Sequence, residues 1–168
     1  VGKVGFREGM YMASTDELHI NITGKGGHAA MAGDYNNPLV VAAHIITEIE
    51  KQFPFTIDNE GVARNTQNNI PTVIAFGKIE GKGATNVIPE SVYLAGTFRT
   101  MDEAWRKEVK LKIIEIVNSV TTKYNTKADI NIMDGYPFLT NDVEVTKHCK
   151  QAAIEYLGKE NVEDLPLR

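Results

Sequence analysis

Few side chains in this chain have the types for chemistry: His19, His28, His44, His148, Cys149 and a strand-borne Arg99. An imidazole can donate, accept or carry a proton near neutral pH, and a guanidinium can grip a carboxylate with two parallel hydrogen bonds. His28 has the strangest setting. It sits in GKGGHAAMAG, residues 24–33, where almost nothing larger than alanine surrounds it. From composition alone this stretch reads as a flexible turn in which His28 caps the preceding strand or the next helix.

Several chemistries fall away on spacing. His148 and Cys149 are neighbours on a helical segment, so they point about 100° apart and make a poor nucleophile and base pair. GKGG lacks the GxxxxGK[ST] pattern of a phosphate loop. There is no HxD pair and no Glu-Glu dipeptide, and the four histidines do not share metal-ligand spacing with carboxylates, so no metal site is expected in this chain. His44 shares a helical side with Val40, Thr47 and Lys51, which reads as a solvated position.

The elements that must hold these residues follow from hydrophobic period. LHINIT alternates Leu18, Ile20 and Ile22 against His19, Asn21 and Thr23, a half-buried strand. NNPLVVAAHIITEIEKQF opens with Asn36 and Asn37 as caps and Pro38 at the first helical position, with Leu39, Ala42, Ala43, Ile46, Ile49 and Phe53 as its apolar stripe. PTVIAFGKIEG and SVYLAGTFRT read as strands separated by the Gly81/Gly83 break. A capping box from Thr100 to Glu103 then opens a long helix carrying Trp105, Val109, Ile113, Ile116, Val120 and Tyr124. ADINIMDGY alternates again and makes a fourth strand.

The order β-α-β-β-α-β predicts an α+β, ferredoxin-like split βαβ fold: a four-stranded antiparallel sheet with two helices on one face. Parity on the third strand puts Val92, Leu94 and Phe98 toward the helices, so Tyr93, Ala95, Thr97 and Arg99 face the open side. Solubility alone would explain an outward arginine. An extra C-terminal helix at 141–157, with Val145, Cys149, Ala152, Ala153 and Tyr156 on one side, has no place in this topology.

Bulk properties are those of a globular chain, with 42% hydrophobic and 24% charged residues. A net charge of −4 with scattered lysines excludes a nucleic-acid footprint. The lone cysteine excludes an internal disulfide, and no apolar run has the length to cross a bilayer, so a cytoplasmic protein without a membrane partner is expected. VGKVGFREGM starts without an initiator Met and EDLPLR stops without a terminating pattern, which reads as an excerpt.

GKGGHAA after a strand, the helix from NNPLVVAAHI, GATNVIPESVYLAGTFRT, YPFLTND and EYLGKENVEDLPLR together resemble the lid, or dimerisation, domain of zinc-dependent amidohydrolases and metallopeptidases. That family includes hippurate hydrolase, N-acyl-amino-acid amidohydrolases and glutamate carboxypeptidase. The resemblance implies residues 1–11 as the end of a first catalytic-domain segment, 12–136 as the lid, and 137–168 as the start of a second. It implies two divalent metals, zinc foremost, held by the catalytic domain outside this chain. It implies a homodimer through the lid and a substrate that is an N-acyl amino acid or peptide.

For the site, the resemblance gives His28 a role in trans, holding the substrate carbonyl as it becomes an oxyanion, with the glycines around it admitting substrate and partner closely. Asn86 and Arg99 match positions of substrate recognition, although Asn86 also suits a turn before Ile88-Pro89. The fragment alone is expected to be inactive. A standalone ferredoxin-like small-molecule-binding or assembly module is the alternative, since this topology hosts many functions.

Overall fold

The computed structural model describes residues 2–167. Its centre is the expected sandwich: β1 (Asp16–Thr23), α1 (Pro38–Gln52), β2 (Thr72–Glu80), β3 (Ser91–Thr100), α2 (Glu103–Lys123) and β4 (Lys127–Asp134). The sheet order is β4-β1-β3-β2 with every pairing antiparallel. Leu18, Ile20, Ile22, Leu94 and Phe98 are fully buried under α1 and α2, where they meet Val41, Ile45, Ile49, Val109, Ile113 and Val117. Each such side chain contributes about 1.5–3 kcal/mol on leaving water. The alternate residues of β1 and β3 are thereby fixed on the open face.

Three local expectations need correction. In α1 the buried stripe is Pro38, Val41, Ala42, Ile45 and Ile49, while Leu39 and Ala43 are exposed and Ile46 is half-buried. The run LVVAAHII is apolar on nearly every side, so its period does not fix the phase. Asn37 caps this helix, its side-chain oxygen accepting from Leu39 N–H at 3.0 Å. The α2 cap is Asp102 and not Thr100: Asp102 accepts from Trp105 N–H at 2.7 Å, while the Thr100 hydroxyl donates to Pro71 C=O. The carboxylate is one residue before the helix and outcompetes the hydroxyl further back.

The third correction concerns α3 (Val143–Leu157), capped by Asp142. Val145, Cys149, Ala152 and Tyr156 are exposed, Tyr156 at 90%, and the inner side is formed by Thr146, Lys150, Ala153 and Ile154, half-buried at most. This helix lies against a parallel pair formed by Val4–Phe6 and Val162–Asp164. Gly9–Met12 pairs likewise with Leu139–Asn141. The two ends of the chain thus knit to each other outside the sandwich. The polar stretch after α1 also holds a hairpin, Phe55–Ile57 with Ala63–Asn65, that alternation does not signal.

Candidate functional site

His28 lies in a two-residue strand, Gly27–His28, paired with Val87–Ile88 just before β3. Ala29 N–H donates to Asn86 C=O at 2.9 Å, so His28 and Asn86 are held side by side. Two of the glycines, Gly24 and Gly26, have an internal reason as well. A Cβ on Gly24 would stand 2.2 Å from the Asn36 carbonyl oxygen, and one on Gly26 would stand 2.7 Å from that of Ile88. They let the stretch pass between two neighbouring backbones.

His28 itself is exposed. Its Nδ1 accepts from Ala30 N–H at 3.2 Å, an assignment that puts the neutral ring's proton on Nε2. Nε2 has no partner among the described residues and is a free donor. Met31 and Val87 flank it, and Leu39, Val40 and Ile79 lie at the same end of the sheet; the five expose between 37% and 56% of their surface, an apolar rim beside the β2 sheet edge.

Arg99 is where parity puts it, outward on β3, exposed, and without a hydrogen bond or ion pair among the described residues. It lies at the other end of that strand. Ser91 to Arg99 spans about 26 Å at about 3.3 Å per residue, and His28 and Asn86 lie beyond Ser91. An N-acyl amino acid is two chain units long, about 7 Å. His28 and Asn86 come together in one chain; Arg99 does not join them.

The Arg99 end is the end where the flanks enter. Ser14 and Thr100 exchange hydrogen bonds, as do Thr15 and Tyr136. Beneath them lies a buried ion cluster. Asp16, with a fully buried side chain, accepts from Arg106 Nε and Nη2, both at 2.7 Å, and from Gly135 N–H. Lys110 Nζ stands 3.0 Å from Asp16 and bonds Asp134, and Arg106 also reaches Glu103. Burial alone pushes the Asp16 carboxyl up, but Arg106, Lys110 and the Gly135 N–H together hold it below the usual carboxylate value. Asp16 in turn holds the Arg106 guanidinium well above its ordinary value. A signal for it does exist in the sequence: Arg106 falls on the stripe of Val109, Ile113 and Val117, a charge on an apolar face that must have a buried partner.

On the open face, His19 bridges Tyr93 and Glu17, with Nδ1 2.6 Å from the Tyr93 hydroxyl and Nε2 3.0 Å from Glu17 Oε2. His44 stacks on Tyr124 at 4.9 Å, outside the sheet. Among the described residues no group of three or more His, Cys, Asp or Glu could hold a metal, so these residues do not fit one. No helix among them is long and apolar enough to cross a membrane.

The ferredoxin-like sandwich thus carries a free imidazole on one apolar-rimmed end and both flanking connections at the other. The chain belongs to the peptidase dimerisation domain family, whose profile matches residues 15–125. It is 35% identical over 94% of its length to an N-acetyldiaminopimelate deacetylase of Geobacillus sp. (strain WCH70), and 33% identical over 91% to an N-acetyl-L-cysteine deacetylase of Bacillus subtilis (strain 168). It covers 40% and 35% of those proteins, well under half of either. All of it superposes on 38% of the Bacillus subtilis YXEP protein, a dinuclear metal binding peptidase from the M20 family, with a TM-score of 0.62 at 21% identity. The expected fold and family are both borne out.

Proposed function

We propose that this chain is the lid portion of a metal-dependent amidohydrolase or peptidase, acting on N-acyl amino acids or small peptides in the cytoplasm. Residues 12–136 form the lid, and 1–11 and 137–168 belong to the catalytic domain. Two features support the flanks: their strands pair with each other, and Val145, Cys149 and Tyr156 on α3 expose an apolar side suited to further packing. Both relatives named above remove an N-acetyl group from an amino acid, by their names. The metals belong to sequence outside this chain, where they would supply the activated water.

The observation that carries the reading is the separation of His28 from Arg99. Arg99 lies about 26 Å along β3 from Ser91, and His28 lies beyond Ser91, so the two cannot serve one small substrate within one chain. In a two-fold dimer, each site takes His28 and Asn86 from one lid and Arg99 from the other. His28 Nε2–H donates to the carbonyl oxygen as it gains charge, Asn86 flanks it, and Arg99 grips the carboxylate. The Met31, Leu39, Val40, Ile79 and Val87 rim and the β2 edge form the dimer contact. Alone, the 168-residue chain is inert.

Mixing variants of the full-length enzyme tests this. His28→Ala lowers kcat by about a hundred- to a thousandfold, and Arg99→Gln raises KM for carboxylate substrates. In a mixture of the two, random exchange into two-fold dimers restores about a quarter of the wild-type rate, because half the dimers carry one intact site. No recovery on mixing would place His28 and Arg99 in the same chain's site and overturn the reading.

A further inference from the structure

Beside Arg99 lies a pocket of about 190 Å³ walled by Val62, Pro71, Val73, Met101 and Leu167. Arg99 is the one charged residue among the described residues that line it. The one hydroxyl there, that of Thr72, is spent, donating to Ile70 C=O at 3.0 Å. The interior is therefore apolar, with a free guanidinium at its edge.

Three separate pieces of chain build these walls. Val73 pairs with Arg99 in the sheet register, so both side chains stand on the open face. Val62 comes from the hairpin after α1, where Asp58 Oδ1 accepts from Val62 N–H at 2.9 Å and Asp58 Oδ2 from Arg64 Nε at 2.6 Å. Leu167 comes from the C-terminal flank. Leu165 N–H donates to Phe6 C=O at 2.8 Å, and Arg7 Nη1 donates to Leu165 C=O at 3.0 Å, which folds that flank against the sheet. The pocket thus lies across the junction of lid and flank, held by bonds on every side.

Its size suits one side chain. A whole small-molecule ligand needs about 300–1,000 Å³, whereas an apolar cavity of about 150 Å³ already admits benzene. In an amino acid the side chain starts about 2.5 Å from the carboxyl carbon, both being bonded to the same α-carbon. A carboxylate held by Arg99 therefore sets the side chain at the mouth of the pocket.

We propose that this pocket receives the side chain of the substrate's amino acid and selects apolar side chains up to about the size of leucine or phenylalanine. This rests on the lid reading above, which leaves the side chain open. Each methylene buried there should strengthen binding about fourfold. A side chain ending in an ammonium is disfavoured, because it would leave water for a site with no partner and beside an arginine of like charge.

Two measurements decide it. In the first, the 168-residue chain is titrated by two-dimensional NMR with the Nα-acetyl derivatives of glycine, L-alanine, L-2-aminobutyrate and L-norvaline. Affinity should rise about fourfold at each step, with amide shifts at Val62, Val73 and Leu167. Ala63→Leu, which puts a larger side chain into the pocket from a half-buried hairpin position, should flatten the series. In the second, the full-length enzyme is assayed with the norvaline and glycine derivatives. The ratio of kcat/KM should favour norvaline by about fiftyfold and fall toward one in Ala63→Leu. Nα-Acetyl-L-lysine should fall at least about tenfold below Nα-acetyl-L-norleucine. A flat series in the parent chain, shifts that miss Val62 and Leu167, or a ratio that Ala63→Leu leaves alone overturns the pocket while the lid reading stands. Failure of the full-length enzyme to cleave any of these amides overturns the lid reading instead, and the titration still decides whether the pocket takes the side chain.

Discussion

The two ends of the sheet handle their polar groups in opposite ways. At the end where β3 begins, His28 Nε2, Asn86 and the rim of Met31, Val40 and Ile79 face outward with their capacity unspent. At the end where β3 finishes, buried Asp16 and Arg106 and half-buried Lys110 satisfy one another, and two pairs of hydrogen bonds tie residues 14 and 15 to 100 and 136. A domain that moves as a unit on two connections needs rigidity where they enter. One that completes a site on another subunit needs open valences at its far end. Under the reading proposed above, the difference separates an anchored end from an offered one.

Removing charge at the two ends should separate them most clearly. Asp16→Ala takes the buried partner from Arg106, leaving it only the half-exposed Glu103, and breaking a buried pair this way costs about 3–5 kcal/mol. His28→Ala removes one exposed hydrogen bond and should shift stability by less than about 0.5 kcal/mol. Urea unfolding of the two variants beside the parent chain measures both. Comparable losses would mean that the anchor is not in the ion cluster.

Acid should act most strongly on the same end, where the lowered carboxylate is buried. The folded-state value of Asp16 is held below its ordinary 3.8, so its contribution is fully present above that pH. It is lost as pH falls through the lower folded value. Stability of the parent chain should therefore decline between about pH 4 and about pH 2 more steeply than that of Asp16→Asn, compared by thermal melting across that range. Parallel curves would assign the acid sensitivity to other carboxylates, Asp58 first, since Val62 N–H and Arg64 hold it low too.

How far the sequence reveals this depends on what carries each feature. Strand parity is legible because Leu18, Ile20 and Ile22 alternate cleanly, and it sets Arg99 on the open face without coordinates. The phase of α1 is not, because LVVAAHII offers an apolar residue to every direction and only the sheet decides among them. The α3 face misleads for the opposite reason: its apolar side is real but finds no cover within these residues. The Asp16 cluster joins positions 90 residues apart, at strand start and helix, and only one of its members breaks a local pattern. His28 is visible as an anomaly in composition, while the availability of Nε2 depends on where a single backbone N–H, that of Ala30, points.

The helix caps provide the subtlest test, because they separate ordinary local chemistry from the asymmetry of the two ends. Asn37 caps α1 at the His28 end, accepting from Leu39 N–H at 3.0 Å; Asp102 caps α2 at the Arg99 end, accepting from Trp105 N–H at 2.7 Å. If local hydrogen bonding were all that mattered, Asn37→Ala and Asp102→Ala should each cost about 1 kcal/mol. Asp102 also carries charge at a helix N-terminus, which adds about 0.3–1 kcal/mol in its favour at low salt. The expected result is thus a small excess for Asp102→Ala that shrinks as salt is raised, measured by paired urea titrations. An excess of several kcal/mol, insensitive to salt, would show that Asp102 is coupled to the Arg106 cluster one turn along, and the anchored end would then begin at the cap.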